Sequence, residues 1–302
     1  MKKDLLGICD LEAADFEEIW QKAEKLKKDL RQGREHASLK GKTLGMIFDK
    51  SSTRTRISFE VGMYQLGGIA LFLSSRDTQI GRGEIIADTA RMASVYLDGI
   101  MIRTFAQNDV EEFARHATIP VINGLTDLLH PCQILSDLFT IKEKKGSYEG
   151  MKVAYIGDGN NVANSWIEAA SILPFELALA CPKGYDPDSE IMDRSMKELK
   201  SKISLYRDPS DAAKDADVLY TDVWASMGQE AENEQRKKVF KNFKINAQVL
   251  KKAKKDAIVM HCLPAHRGEE ITAEVLDGEQ SVVIEQAENR LHVQKAILEI
   301  LL

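Results

Sequence analysis

Apolar side chains at Phe16, Ile19, Trp20, Ala23, Leu26 and Leu30 recur every three or four positions, with charged residues filling the gaps. That spacing is the period of an amphipathic helix and predicts one over 15–31. Asp15 followed by Glu18 has the spacing of a capping box, and Gly33 supplies a stop. The pattern then shortens. Runs rich in β-branched and aliphatic residues at 43–49, 69–74, 99–104 and 119–123 predict strands, with helical stretches at 53–66, 84–97 and 109–117 between them. A longer helical pattern at 131–144 closes this half. Charge and glycine then replace hydrophobic periodicity at Lys144-Lys145-Gly146-Ser147, and the alternation restarts. Strands are predicted at 152–156, 176–181, 203–206, 218–223, 257–262 and 282–285. Helices are predicted at 164–173, 189–200, 236–243, 247–254 and 289–302.

Strands separated by single helices pair in parallel through right-handed crossovers. The expected fold is therefore α/β, with two open, doubly wound parallel-sheet domains at 1–145 and 148–287. The last helix, 288–302, has to dock, and is expected to return to the first domain carrying Arg290 near its start. Ligands of such sheets bind outside the carboxyl ends of the strands. Two such edges imply an active-site cleft between the domains.

Length and composition narrow the function. The 302 residues suit two domains of about 150 residues each. Apolar residues make up 44% and charged residues 29%, a globular balance. Lys+Arg 41 against Asp+Glu 47 leaves a net charge of −6, which argues against a nucleic-acid partner. No apolar run reaches the roughly 20 residues of a membrane span. The acidic, interrupted N-terminus does not read as a targeting peptide, so a cytoplasmic protein is expected. Cys9, Cys132, Cys181 and Cys262 form no C-x-x-C pair or Cys/His ladder, so neither a disulfide framework nor a metal centre is expected.

Candidate chemistry gathers where the strands end. After 43–49 the chain runs through Lys50, Ser52, Thr53, Arg54 and Thr55 into a helix, with Ser52 placed to cap it. First-turn N–H groups, hydroxyls and a guanidinium make a phosphate site. A solvated basic turn is the plainer alternative, and the unbroken polar run favours phosphate. Arg103 follows an apolar strand directly. His130 precedes Pro131, a residue suited to the first helical position, and Gln133 lies on that helix's first turn. In the second half Gly157-Asp158-Gly159-Asn160-Asn161 invites a dinucleotide reading, but Val162 and Ala163 stand where a third glycine is needed. Asn160 and Asn161 could instead present amides to a small zwitterion. Asp222 and Cys262 end separate strands.

The runs Ser52-Thr53-Arg54-Thr55-Arg56, His130-Pro131-Cys132-Gln133, Asp222-Val223-Trp224-Ala225-Ser226-Met227-Gly228 and His261-Cys262-Leu263-Pro264 together resemble the aspartate/ornithine carbamoyltransferase family. The last two runs resemble its ornithine-using members. The resemblance implies transfer of a carbamoyl group from carbamoyl phosphate to the δ-amino group of L-ornithine, giving L-citrulline and phosphate, most simply for arginine biosynthesis. It implies that Ser52, Thr53, Arg54, Thr55, Gln79, Arg103, His130, Gln133, Cys262, Leu263 and Arg290 bind carbamoyl phosphate. Asn161, Asp222, Ser226 and Met227 would contact ornithine, and Arg103, His130, Asp222 and Cys262 would carry the catalysis. Gln79 would reach a neighbouring subunit's site in a homotrimer, or a multiple of trimers. No metal or organic cofactor is implied, nor a membrane partner. Competing readings are a dinucleotide-dependent dehydrogenase, a non-enzymatic anion sensor, and transfer to putrescine, acetylornithine or aspartate.

Overall fold

The computed structural model describes residues 4–74, 83–197, 202–225 and 232–302. The chain divides into two compact units, Met1–Phe139 with Glu288–Leu302, and Thr140–Ala287.

The first unit runs α1 (Ala13–Arg31), β1 (Thr43–Phe48), α2 (Thr53–Gln65), β2 (Ile69–Ser74), α3 (Ile86–Tyr96), β3 (Gly99–Arg103), α4 (Gln107–His116), β4 (Val121–Leu125) and α5 (Pro131–Lys145). Its four strands are all parallel in the order β2-β1-β3-β4. β1, β3 and β4 are buried along nearly their whole length, as parallel strands covered on both faces must be. Ile47, Ile100, Ile102 and Val121 pack there with Ala90 and Ala93 of α3 and Val110 and Phe113 of α4. β2 is an edge strand and stays largely exposed.

The second unit runs β5 (Lys152–Ile156), α6 (Asn161–Ile172), β6 (Glu176–Ala180), α7 (Ser189–Lys197), β7 (Ile203–Tyr206), α8 (Pro209–Ala213), β8 (Val218–Thr221), α9 (Asn233–Phe240), α10 (Ala247–Leu250), β9 (Ile258–His261) and α11 (Ala273–Leu276); α12 (Val283–Leu301) follows, and from Glu288 on it belongs to the first unit. Its parallel sheet has the order β7-β6-β5-β8-β9, so the chain reverses direction across the sheet between β7 and β8. Trp224, Phe240, Phe243 and Ile245 close one side of the core over Ile156, Leu219 and Val259. Among the described residues no helix is long and apolar enough to cross a membrane.

Several local expectations change. The run 282–285 is no strand: a single bridge joins Ser281 to Val259, and α12 begins at Val283. A short apolar run fits a strand and a buried helical turn equally well. Here Ile284 is 71% exposed while Val283 is buried, with Gln286 N–H already bonded back to the Val282 carbonyl. Arg290 therefore lies within α12 rather than near its start. Asp15 is not an N-cap either. It sits inside α1 and accepts the N–H of Glu12, the true N-cap, at 2.7 Å. Ser52 does cap α2, its hydroxyl accepting the Thr55 N–H at 3.2 Å.

Two glycines shape the turn after β5. Gly157 has φ +146°, and a Cβ on Gly159 would lie 2.2 Å from the backbone nitrogen of Pro187. Backbone on backbone cannot yield, so Gly159→Ala should cost at least about 2 kcal/mol of stability. Chemical denaturation measures it, and an unchanged midpoint would show that the segments can separate without loss.

Candidate active site

In the first unit the carboxyl ends of the strands are in register. Phe48, the last residue of β1, pairs with Arg103, the last of β3, and the Asp49 N–H donates to the Arg103 carbonyl at 2.9 Å. The loop entering α2 is thereby held against the end of β3. Beyond it the capped first turn of α2 presents the N–H groups of Thr53 and Arg54 out of the helix end. Lys50 is not part of this donor set. Its ammonium is buried, paired with Asp127, and lies 4.4 Å over the Phe105 ring.

His130 precedes Pro131 at the start of α5, its carbonyl accepting the Gln133 N–H at 3.1 Å. Arg290 joins this group from α12. Its guanidinium donates to Gln133 Oε1 at 2.8 Å and to Thr55 Oγ1 at 3.0 Å, so one side chain ties α2, α5 and α12 together. Arg103, His130 and Arg290 are each less than a tenth exposed. Burial first, then the charges of Arg290 and Arg103, hold the His130 imidazole well below the usual histidine range. It is neutral at physiological pH, a donor at one ring nitrogen and an acceptor at the other. The neighbouring Cys132 thiol is pushed up to about 12 by burial, which makes it inert.

In the second unit Ile156, Thr221 and His261 end β5, β8 and β9 in matching register. The residues that follow therefore meet at one edge. Asp222 accepts from Asn160 Nδ2 at 2.8 Å, from the Val223 N–H at 2.8 Å and from Cys262 Sγ at 2.7 Å. Asn160 also caps α6, accepting the N–H groups of Val162 and Ala163. Asn161, the residue singled out from sequence, opens α6 and is buried. Its neighbour Asn160 makes the contact to Asp222.

Behind Cys262, His261 and Glu270 are fully buried and joined, Nε2 to Oε1, at 3.0 Å. His261 Nδ1 accepts the Leu263 N–H at 2.8 Å. That assigns the ring proton to Nε2 and leaves the Leu263 carbonyl, not its N–H, for other partners. Leu263 has φ +55°, a left-handed conformation that branched side chains rarely take. Asp222, His261 and Cys262 bring ligand-type atoms within 4.8 Å of one another. Both His261 nitrogens are already engaged, so a cation there would have to break those bonds.

Arg236 was missed from sequence. It is 6% exposed, with Nη1 2.8 Å from both Asp158 Oδ2 and the Trp224 carbonyl, and Nε 3.1 Å from Glu232. It thus links the turn after β5, the loop after β8 and the start of α9. Nothing in a helix of mixed charge marks one arginine as the buried one; a single charged residue on the apolar face is the only signal. Gln79, Ser226 and Met227 lie outside the described residues.

Two family models match the chain. The model described as aspartate/ornithine carbamoyltransferase, carbamoyl-P binding domain, matches residues 3–143, and the Asp/Orn binding domain of the same family matches 149–301. An ornithine carbamoyltransferase of Syntrophus aciditrophicus is 73% identical over 302 residues, spanning 100% of both chains. The solved ornithine carbamoyltransferase from Pyrococcus furiosus is 53% identical with a TM-score of 0.94, over 98% of this chain and 95% of that one. The anabolic ornithine carbamoyltransferase from Campylobacter jejuni is 45% identical with a TM-score of 0.93, over 100% and 99%.

Asp158 gives this region a pH signature. Burial is the main cause, opposed by Arg236 and reinforced by Asp222 and Glu232, and it pushes the carboxyl up from 3.8 to about 6. Between those values the folded chain holds a proton that the unfolded chain has lost. This group's contribution to stability is therefore present below pH 4 and lost as pH rises through about 6. Asp158→Asn should remove that slope, at most about 1.4 kcal/mol per pH unit. Denaturant curves from pH 4 to 7 read it, and parallel curves for both proteins would mean the carboxyl titrates normally.

Proposed function

The chain belongs to the aspartate/ornithine carbamoyltransferase family, and from that membership we propose that it transfers the carbamoyl group of carbamoyl phosphate to the δ-amino group of L-ornithine, releasing L-citrulline and phosphate. The observation that carries the acceptor half is the Cys262 thiol bonded to the Asp222 carboxylate at 2.7 Å, an anion and a proton-exchanging group side by side. The donor half draws its support from Arg103, His130 and Arg290, gathered beside the capped start of α2.

The chemistry asks for these groups. An amine attacks only when neutral, and a δ-amino group near the lysine reference of about 10.4 is almost wholly protonated at pH 7.5, so the neutral form costs about 4 kcal/mol. Asp222 holds the ammonium, and the proton leaves toward the Cys262–Asp222 pair or the departing phosphate. The amine nitrogen then bonds to the carbamoyl carbon, and the developing oxyanion is met by Arg103 and by the N–H of neutral His130. As the intermediate collapses, the carbon–oxygen bond to phosphorus breaks. Phosphate leaves against Arg54 and the N–H groups of the first turn of α2. The donor is already activated, so Cys262 forms no covalent intermediate. Gln79 would belong to the donor site and Asn161, Ser226 and Met227 to the acceptor site.

We assign the assembly as a homotrimer, or a multiple of one. The support is the edge strand β2, where Ile69 is 61% exposed with Leu71 and Phe72 beside it, flanked by exposed Tyr64 on α2 and Val95 and Tyr96 on α3. An apolar strand edge left open is an association or aggregation surface. The pathway assigned is arginine biosynthesis, in line with the anabolic relative. The compartment assigned is the cytoplasm, where a Cys262 thiol outside any disulfide stays reduced.

The deciding experiment measures ureido product from carbamoyl phosphate with ornithine, acetylornithine, putrescine and aspartate supplied separately. Citrulline from ornithine alone is expected, and turnover of another amine instead overturns the acceptor assignment. Arg103→Gly should lower kcat about a hundredfold or more while leaving the thermal transition in place. Parallel loss of folded signal would make its role structural. In solution the native mass should be that of three chains or a multiple. Leu71→Lys should yield monomer, whereas an unaltered mass would put the interface elsewhere.

A further inference from the structure

A primary amide can face its surroundings in two ways, oxygen first or nitrogen first, and the choice decides which ligand it accepts. Gln133 is 1% exposed and lies between two groups of opposite demand. On one side Arg290 can only donate, and its Nη1 meets Gln133 Oε1 at 2.8 Å. On the other, Gln133 Nε2 donates at 2.9 Å to Asp137 Oδ1, a carboxylate four residues along α5 that is 0% exposed. The i,i+4 spacing stacks the two side chains on one face of the helix.

We propose that Asp137 is a positioning residue that holds the Gln133 amide with its oxygen toward Arg290, so that the donor site selects a carbamoyl NH2 over a methyl group at the same place. The proposal rests on the reading of this half-site as the one that takes the carbamoyl group. The second lone pair of Gln133 Oε1 is the acceptor that a carbamoyl NH2 needs and that an acetyl CH3 cannot use. Arg290 alone does not secure it. An asparagine at 137 would offer an N–H to the same oxygen, in competition with Arg290, and the turned amide would then meet the ligand's NH2 with its own. Asp137 has no amide nitrogen to present to that oxygen, and its Oδ1 already accepts from Gln133 Nε2, so it removes that alternative.

The test uses two stable analogues differing only at this position, phosphonoacetamide with NH2 and 2-oxopropylphosphonate with CH3, titrated calorimetrically into the full chain. Wild type should prefer the amide by about five- to tenfold, the worth of one hydrogen bond. In Asp137→Asn the preference should fall toward unity. The double variant Gln133→Glu with Asp137→Asn should recover much of it, since a carboxylate has no nitrogen end to turn inward. A role in stability alone would lower the fraction of binding-competent protein and leave the ratio of affinities untouched. An unchanged ratio in Asp137→Asn, or no recovery in the double variant, overturns the proposal while leaving the functional reading intact. Binding of neither analogue by wild type overturns that reading and the proposal together.

Discussion

Hydrogen-bond register between parallel strands is the constraint from which the residue cluster of each unit follows. Every strand of a parallel sheet runs the same way, so the residues after their last paired positions emerge at one edge. Phe48 opposite Arg103, and Ile156, Thr221 and His261 in line, make that edge level in each unit. Residues far apart in sequence then meet without a long connecting loop: Asp222 and Cys262 are 40 positions apart and share one hydrogen bond. A slip of one residue would turn every strand's side chains to the opposite face and scatter these groups. The continuous burial of β5, β8 and β9 opposes such a slip.

Burial of like charges is the second organising fact. Arg103 and Arg290 are removed from water, and the His130 imidazole is held neutral by its own burial first and then by the charges of Arg290 and Arg103. A buried guanidinium needs acceptors, and Arg290 finds two neutral ones in the Thr55 hydroxyl and the Gln133 carbonyl. Positive charge held out of water in this way suits a doubly charged phosphate and an oxyanion that exists only during reaction. The Asp137 carboxylate meets the other end of the same amide, accepting from Gln133 Nε2 at 2.9 Å.

The strand-helix alternation was legible because parallel strands buried on both faces give unbroken apolar runs. The run 152–156 coincides with a buried strand, and 203–206 coincides with the edge strand β7 although only Ile203 of it is buried. The same rule misled at 282–285, where a helix start buries Val282 and Val283 as deeply as a strand would. Motif residues could be placed at strand ends, since the ends follow from the runs. What a side chain binds could not. Lys50 read as a charge for phosphate and is spent on Asp127 and Phe105. Arg290 reaches Gln133 across 157 positions, and Arg236 reaches Asp158 across 78. Such pairings depend on which faces pack, and local pattern carries no record of that.

The direction of the Cys262–Asp222 bond bears on how an amine would be handled. The thiol is the donor, so Asp222 already has three donors: a thiol, an amide and a backbone N–H. Two oxygens offer about four lone-pair sites, so an arriving ammonium takes the one that remains or displaces the thiol, the weakest of the three. Its displacement frees the sulfur to turn its lone pairs toward the same nitrogen. The carboxylate would then hold the cation by charge while the sulfur lies ready beside it for the proton. A serine in place of Cys262 keeps a donor, but a much less acidic one and a stronger competitor for Asp222. It would both resist displacement and take up the proton less readily as the amine is released for attack. The softness of sulfur as a hydrogen-bond donor is therefore as much a part of the design as its acidity.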